Sequence, residues 1–348
     1  MRVGHMKRAV TMRAVATRAR VSTATVSRYI NNKTVGTEAE QRILAAIRDL
    51  SYSPNRLARS LRLTKSMMIG MVIPDITNPF FPEVVKGVED TARAAGYSLM
   101  LFNTGEDEDR QWECLQAVHG QRCDGALLIM APKGRHHAER RQQLQHFSLP
   151  VVYVDRAPDF PADTVTVDNM RSAQEAVRHL VRLGHVRIAA ATVDLDVSVH
   201  RDRIMGYRHV LAEAGLPHRP EYEVQSAPTV ADGYSAAARL LALPERPSAI
   251  FVTNSRVAVG VVAAIESHGL RCPADVSVVA YDSHEWHDVF HPRLTTVTQP
   301  TYLMGTRAAQ LLISRIAAGK GGAPPLQVLL QPALTVRESC DVYHLGPR

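Results

Sequence analysis

The sequence predicts a chain in two parts: a small all-α helix-turn-helix head at the N-terminus, then a large α/β body of two doubly wound parallel-sheet subdomains. Three observations carry this. The first is charge. Residues 1–65 hold 14 Lys and Arg against 3 Asp and Glu, whereas the rest of the 348-residue chain holds 27 against 31. The second is a 3.6-residue apolar period within the first 50 residues. The third is a set of short, wholly apolar runs beyond Ser66, separated by helical stretches, in two successive rounds.

The head begins at Met12, whose apolar partners Val15, Ala16 and Ala19 fall on one helix face, with Thr11 placed as N-cap. Arg20-Val21 is a break. Ser22 then caps a second helix from Thr23 to Ile30, with Val26 and Ile30 facing inward. A third pattern follows at Ile43, Leu44, Ile47 and Leu50. Two short helices, a tight turn and a third helix make a helix-turn-helix unit, whose second helix enters the DNA major groove. Thr23, Ala24, Ser27 and Arg28 are its exposed positions, and Arg28 has the fork to bond a guanine edge. Ser22, Thr25 and Asn31 are short polar side chains suited to phosphates. A small helical bundle without a DNA role, or a solvated basic tail, would explain parts of this. The charge excess argues against the first and the apolar periodicity against the second.

Pro54 opens a further segment, Asn55 to Leu61, long enough for barely two helical turns and marginal alone in water. Val15-Ala16, Val21 to Arg28, Ile30-Asn31 and Tyr52 to Leu61 together resemble the DNA-binding head and hinge of the lactose/galactose-repressor (LacI/GalR) family. The resemblance extends over nearly the whole chain. It implies that Thr23, Ala24 and Arg28 read bases and that Thr11, Ser22, Thr25, Asn31, Tyr52 and Asn55 hold the DNA backbone. It further implies that paired hinge helices place Ala58 and Leu61 in the minor groove, Leu61 as an apolar wedge; a plain contact between head and body is the alternative for Leu61. Two departures stand out: Ala14 replaces the usual acidic residue of the first helix, and Arg20 the usual turn glycine.

In the body, strands are expected at Met68–Ile73, Tyr97–Phe102, Gly125–Met130, Pro150–Val154 and Thr164–Val167. A second round falls at Val186–Ala191, Ala249–Val252 and Val276–Ala280. Helices are expected over about Phe81–Ala95 and Arg110–Gly120. The resemblance implies a periplasmic-binding-protein-like body with three crossings between subdomains. The expected boundaries are 1–8 for a basic extension, 9–53 for the head, 54–65 for the hinge and 66–340 for the body. Within the body, the first subdomain takes about 66–166 plus 297–325, the second about 167–296 plus 326–340, and 341–348 form a tail.

Ligands in open α/β sheets bind beyond the carboxyl ends of the strands. Residues just after the expected strands are Asp75, Asn78, Phe80, Phe81, Asp155, Arg156, Asp168 and Asn169, then Arg203, Asn254 and Asp282. Carboxylates and amides bond hydroxyls, aromatic rings stack on a sugar face, and arginine takes hydroxyls or a carboxylate. Singly, each could equally be a cap or turn residue. The resemblance maps Asp75, Asn78, Phe80, Phe81, Arg156, Asn169, Arg203, Asn254 and Asp282 onto the family's effector pocket. It departs from the family at Asn254-Ser255, where Asn-Asp is common. Val197-Ser198-Val199 lacks the extra polar groups of purine-sensing members, which disfavours a purine.

Other classes find little support. No apolar stretch is long enough to span a membrane, and the basic start, with Met6 as an alternative to Met1, is followed by no signal-like apolar run. A sugar-binding receptor of the transport or chemotaxis class would share the body but needs export and would not carry such a head. No G-x-S-x-G, H-E-x-x-H, G-x-G-x-x-G or P-loop pattern is present, so neither an enzyme nor a cofactor is expected. His284 and His287 with His291 miss the metalloprotease spacing by one residue, so no metal is expected. Cys114, Cys123, Cys272 and Cys340 form no CxxC and read as free thiols in a reducing cytoplasm. The expectation is a cytoplasmic, nucleoid-associated homodimer, its short tail too small for a tetramerising helix. It would bind a near-palindromic double-stranded operator and respond to a sugar or sugar acid.

Overall fold

The computed structural model describes residues 10–30, 34–52, 65–284, 289, 291–319 and 323–343. The chain divides between Ser66 and Met67 into two compact units. The first contains helices α1 (Met12–Ala19), α2 (Thr23–Ile30) and α3 (Thr37–Asp49). Thr11 caps α1, its side chain accepting from the Ala14 N–H at 3.3 Å, and Ser22 Oγ accepts from the Thr25 N–H at 3.0 Å at the start of α2. Val15, Ala16, Ala19, Val26, Ile43 and Ala46 form the head core. Leu44 does not join it. It is 36% exposed, and Ala46 takes the inward position instead. Arg20 ends α1 in the left-handed region, at φ 54° and ψ 44°. That is a conformation glycine adopts freely and a side chain resists.

The second unit holds two six-stranded sheets. The first sheet runs β11-β5-β4-β3-β1-β2, all parallel. Its strands are β1 (Met68–Ile73), β2 (Ser98–Asn103), β3 (Gly125–Leu128), β4 (Val151–Val154), β5 (Asp163–Val167) and β11 (Gln327–Leu330). Ile69, Met71 and Ile73 of β1 point into the core under α4 (Phe80–Ala94) and α11 (Thr301–Ala318). Val72 points to the opposite face, under α5 (Glu108–Gly120) and α6 (His137–Gln145). Apolar residues on both faces are what burial on both sides demands of a parallel strand. Helices α4 and α11 cross closely at Gly87 and Gly305. A Cβ on Gly87 would lie 2.2 Å from the Tyr302 carbonyl oxygen, and one on Gly305 2.0 Å from that of Val84.

The second sheet runs β12-β10-β9-β8-β6-β7. Its strands are β6 (Ile188–Thr192), β7 (Glu223–Gln225), β8 (Ala249–Val252), β9 (Ser277–Tyr281), β10 (Thr295–Thr298) and β12 (Ala333–Thr335). Helices α7 (Asn169–Arg182) and α8 (Ser198–Glu213) cover one face. Helices α9 (Val230–Leu241) and α10 (Ser255–Ser267) cover the other. Strand β12 is the exception to the parallel rule, pairing antiparallel with β10.

The chain passes between the two sheets three times: from β5 into α7, from β10 into α11, and from β11 into β12. The last two crossings correct the expected boundaries. Strand β10 keeps residues up to Thr298 in the second sheet. The return segment does not end at the Gly/Pro-rich run near 325, because Gln327–Leu330 pairs with Thr164–Val167 and extends the first sheet. The crossing therefore falls after Leu330. Among the described residues, no helix is long and apolar enough to cross a membrane.

Candidate functional site

Between the two sheets of the second unit lies a small cavity lined largely by polar side chains. From the first sheet it receives Asn78, Phe80 and Phe81 after β1, and Asp155 and Arg156 after β4. The second contributes Val199, His200 and Arg203 from α8, Asn254 after β8 and Asp282 after β9. Gln299 comes from the second crossing. These are carboxyl ends of parallel strands, where the topology leaves backbone groups and side chains free to meet a ligand.

Arg203 anchors the floor. Its Nε donates to Asn169 Oδ1 at 2.8 Å and its Nη1 to the Thr253 carbonyl at 2.7 Å, while its Cζ lies 3.7 Å from the Tyr281 ring centroid. Asn169 is therefore the residue that orients Arg203. It does not line the cavity directly. Arg156 is clasped by Glu106 through two bonds, Nη1 to Oε2 at 2.6 Å and Nη2 to Oε1 at 2.9 Å, and also bonds the Met130 carbonyl. Gln299 Nε2 donates to Asp282 Oδ1 at 2.6 Å. Phe80 and Phe81 meet edge-on, their centroids 5.2 Å apart.

Asp155 and Asp282 hold equivalent places, each just past a strand and each at positive φ, 63° and 66°. Asp tolerates this better than most residues. Burial pushes the Asp155 carboxyl up to about 6, against the opposing pull of the Arg156 and Arg203 guanidiniums. Burial also holds the His200 imidazole well below its ordinary value, with Arg203 and Arg156 adding to the effect, so the ring is neutral.

Asp75 stands apart from the cavity. Its Oδ1 accepts from the N–H and hydroxyl of Thr77, while its Oδ2 meets Arg256 Nη1 at 2.9 Å. Arg256 lies in the first turn of α10, so this ion pair joins the first sheet's loop to the second sheet's helix. Asn254 faces the cavity and also caps α10, its Oδ1 accepting from the N–H groups of Arg256 and Val257. Asp168 caps α7 through the Arg171 N–H. His200 and Gln299 are cavity residues that the sequence reading passed over. His200 is three residues before Arg203 on α8, hence on the same face. Gln299 follows a Thr-rich strand too short to draw notice.

In the head, Thr23, Ala24 and Arg28 lie exposed on one helix. Thr25 is tied to Ser22, with the two hydroxyls 2.8 Å apart. Tyr52, expected at the DNA backbone, instead packs in the head core and is only 9% exposed, because its ring fills space beside α1 and α3. Asn31, Asn55, Ala58 and Leu61 lie outside the described residues.

A DNA-reading head and a two-walled small-molecule cavity on one chain define a class, the ligand-responsive DNA-binding regulators. Comparison with known proteins places the chain within it. Residues 11–55 match the bacterial regulatory proteins of the lacI family, and residues 177–340 match the periplasmic binding protein-like domain. The chain is 39% identical over 309 residues to the ribose operon repressor of Escherichia coli K12, spanning 88% of this chain and 93% of that one. It is 36% identical over 332 residues to the transcriptional repressor PurR of Mannheimia succiniciproducens, spanning 94% and 98%. Among solved structures it resembles the Lac repressor dimer bound to operator and the anti-inducer ONPF, with TM-score 0.84, 25% identity and coverage of 96% and 100%. It also resembles the regulator CelR in complex with cellobiose, with TM-score 0.72, 28% identity and coverage of 95% and 99%. The chain belongs to the LacI family, and is a ligand-responsive transcriptional repressor of that family.

Proposed function

We propose that the protein is a homodimeric repressor of genes for carbohydrate or sugar-acid use, acting in the cytoplasm on a near-palindromic operator. The observation that carries this reading is the cavity, into which both sheets project buried polar side chains and a pair of aromatic rings. That is the lining a hydroxylated ring requires, polar groups for its edges and aromatic surface for its face. Relatives named for ribose and complexed with cellobiose support the carbohydrate class.

In this reading, two copies present two α2 helices to two half-sites, with Thr23, Ala24 and Arg28 at the base edges and Thr11, Ser22 and Thr25 near phosphates. The segment 54–65, with Ala58 and Leu61 in the minor groove, carries the message between body and DNA. The effector changes operator affinity only as far as it binds the two states of the body unequally, with a coupling on the order of 1–3 kcal/mol. The protein performs no chemistry on the effector.

Fluorescence anisotropy on the full chain with DNA from its own upstream region tests this. Attachment should weaken steeply with salt, as phosphate contacts require. At least one sugar or sugar acid should shift the operator affinity about fivefold or more. Salt-insensitive or absent attachment to any duplex would overturn the DNA role, and an affinity unmoved by any small molecule would overturn the sensing role.

A further inference from the structure

We infer that His200 reads the effector directly, and that the effector it fits is an uncharged sugar. This rests on the ligand-responsive reading above and narrows the class of effector. Four buried polar atoms at the cavity have no hydrogen-bond partner within the protein: Asp155 Oδ1, His200 Nδ1, Gln299 Oε1 and Arg156 Nε. Their side chains belong to residues only 5–7% exposed. Buried polar atoms left without partners are costly, so a ligand that supplies partners is strongly favoured.

The chemistry of these atoms selects the ligand. Asp155 Oδ1 and Gln299 Oε1 accept hydrogen bonds, and Arg156 Nε donates. A neutral imidazole has one donor and one acceptor nitrogen, and Nδ1 of His200 has no hydrogen-bond partner within the protein. The site therefore asks for several hydroxyl donors and few acceptors. A sugar hydroxyl serves as donor and acceptor at once, whereas a carboxylate or phosphate only accepts.

Charge points the same way. The Arg156 guanidinium is occupied by Glu106. The carboxylates of Asp155 and Asp282 then face one guanidinium, that of Arg203, which bonds only an amide and a carbonyl. An anionic ligand would add a second negative charge to a site shielded from water, where like charges repel strongly.

The experiment is a thermal-shift and calorimetric panel on the full-length protein. The probes are D-ribose, D-xylose and D-glucose, then D-gluconate and D-galacturonate, ribose 5-phosphate, cellobiose and hypoxanthine. The expected result is stabilisation by one or more of the neutral sugars and by none of the acids, the phosphate or the purine. H200A should weaken that sugar at least tenfold. H200N, which keeps one donor and one acceptor, should recover most of the loss, a recovery that a purely structural role for the ring would not give. Binding of an acid, phosphate or purine that also releases operator would overturn this inference while leaving the ligand-responsive reading intact. Equal sugar affinity in H200A and the parent would overturn the role of His200. If none of these sugars bound while operator binding stayed intact, the neutral-sugar inference would fall and the ligand-responsive reading would stand.

Discussion

Replacing Asp155 by asparagine should stabilise the protein at neutral pH. The carboxyl is buried, one oxygen has no partner, and its nearest cation, Arg156, approaches its other oxygen only to 3.9 Å while bonding Glu106. Burial raises the carboxyl from an ordinary 3.8 to about 6. Each pKa unit corresponds to about 1.4 kcal/mol, so ionising this group in the folded state opposes folding by up to about 3 kcal/mol. The folded state holds the proton more tightly than the unfolded chain does. Its contribution to stability is therefore fully present below about pH 4 and is lost as pH rises through 6. Asparagine keeps the shape, tolerates the positive φ of 63° and carries no charge. Denaturant or thermal unfolding of the body, followed by circular dichroism from pH 4 to 8, should show D155N and parent converging near pH 4. By pH 8 the variant should be about 2–3 kcal/mol more stable, a gain of several degrees in Tm. A difference that does not change with pH, or a less stable variant at pH 8, would refute the reasoning.

Other substitutions probe separate parts of the molecule. Arg20→Gly should stabilise the head by about 1 kcal/mol by relieving a left-handed backbone, seen as slower amide exchange in α1 and α2; unchanged or faster exchange would show that the turn carries no strain. Arg28→Ala should lose about 1–3 kcal/mol of discrimination at one operator position, measured against an operator mutant series; an equal loss on every sequence would reduce Arg28 to a phosphate contact. Asp75→Asn keeps the side-chain oxygen that accepts from Thr77 but removes the charge facing Arg256 across the sheets. Because that pair is partly exposed, the expected effect is about 1 kcal/mol or less, a rise of up to about fivefold in the rate of effector release by stopped-flow. An unchanged or slower release would mean the ion pair does not latch the cavity.

Much of this molecule is legible before folding because local rules and the global fold agree. Thr11 and Ser22 cap helices where a short polar residue precedes an apolar period, and Met68–Ile73 is buried on both faces as an unbroken apolar run demands. The misses have physical reasons. Strands β7, β10, β11 and β12 are three or four residues long, and the threonines of β10 disguise a buried strand, since hydroxyls are silent in an apolar pattern. Leu44 looked inward, but Ala46 fits the tighter contact among the head helices. The cavity emerged from residues that follow strands, a rule that finds Asp282 and Arg156. It cannot find His200, which reaches the cavity from a helix face. It wrongly added Asp75, whose carboxylate is turned toward Arg256 on the opposite wall.

The way the chain weaves between its two sheets has a consequence for biosynthesis. Strand β11 completes the first sheet only after the whole second sheet except β12 has been made. A ribosome emitting residues in order would leave the open flank of β5 waiting while well over a hundred further residues emerge. Through that interval an unpaired parallel edge stands ready to recruit the wrong neighbour. The two lobes must then complete their sheets almost together, once the third crossing has left the exit tunnel.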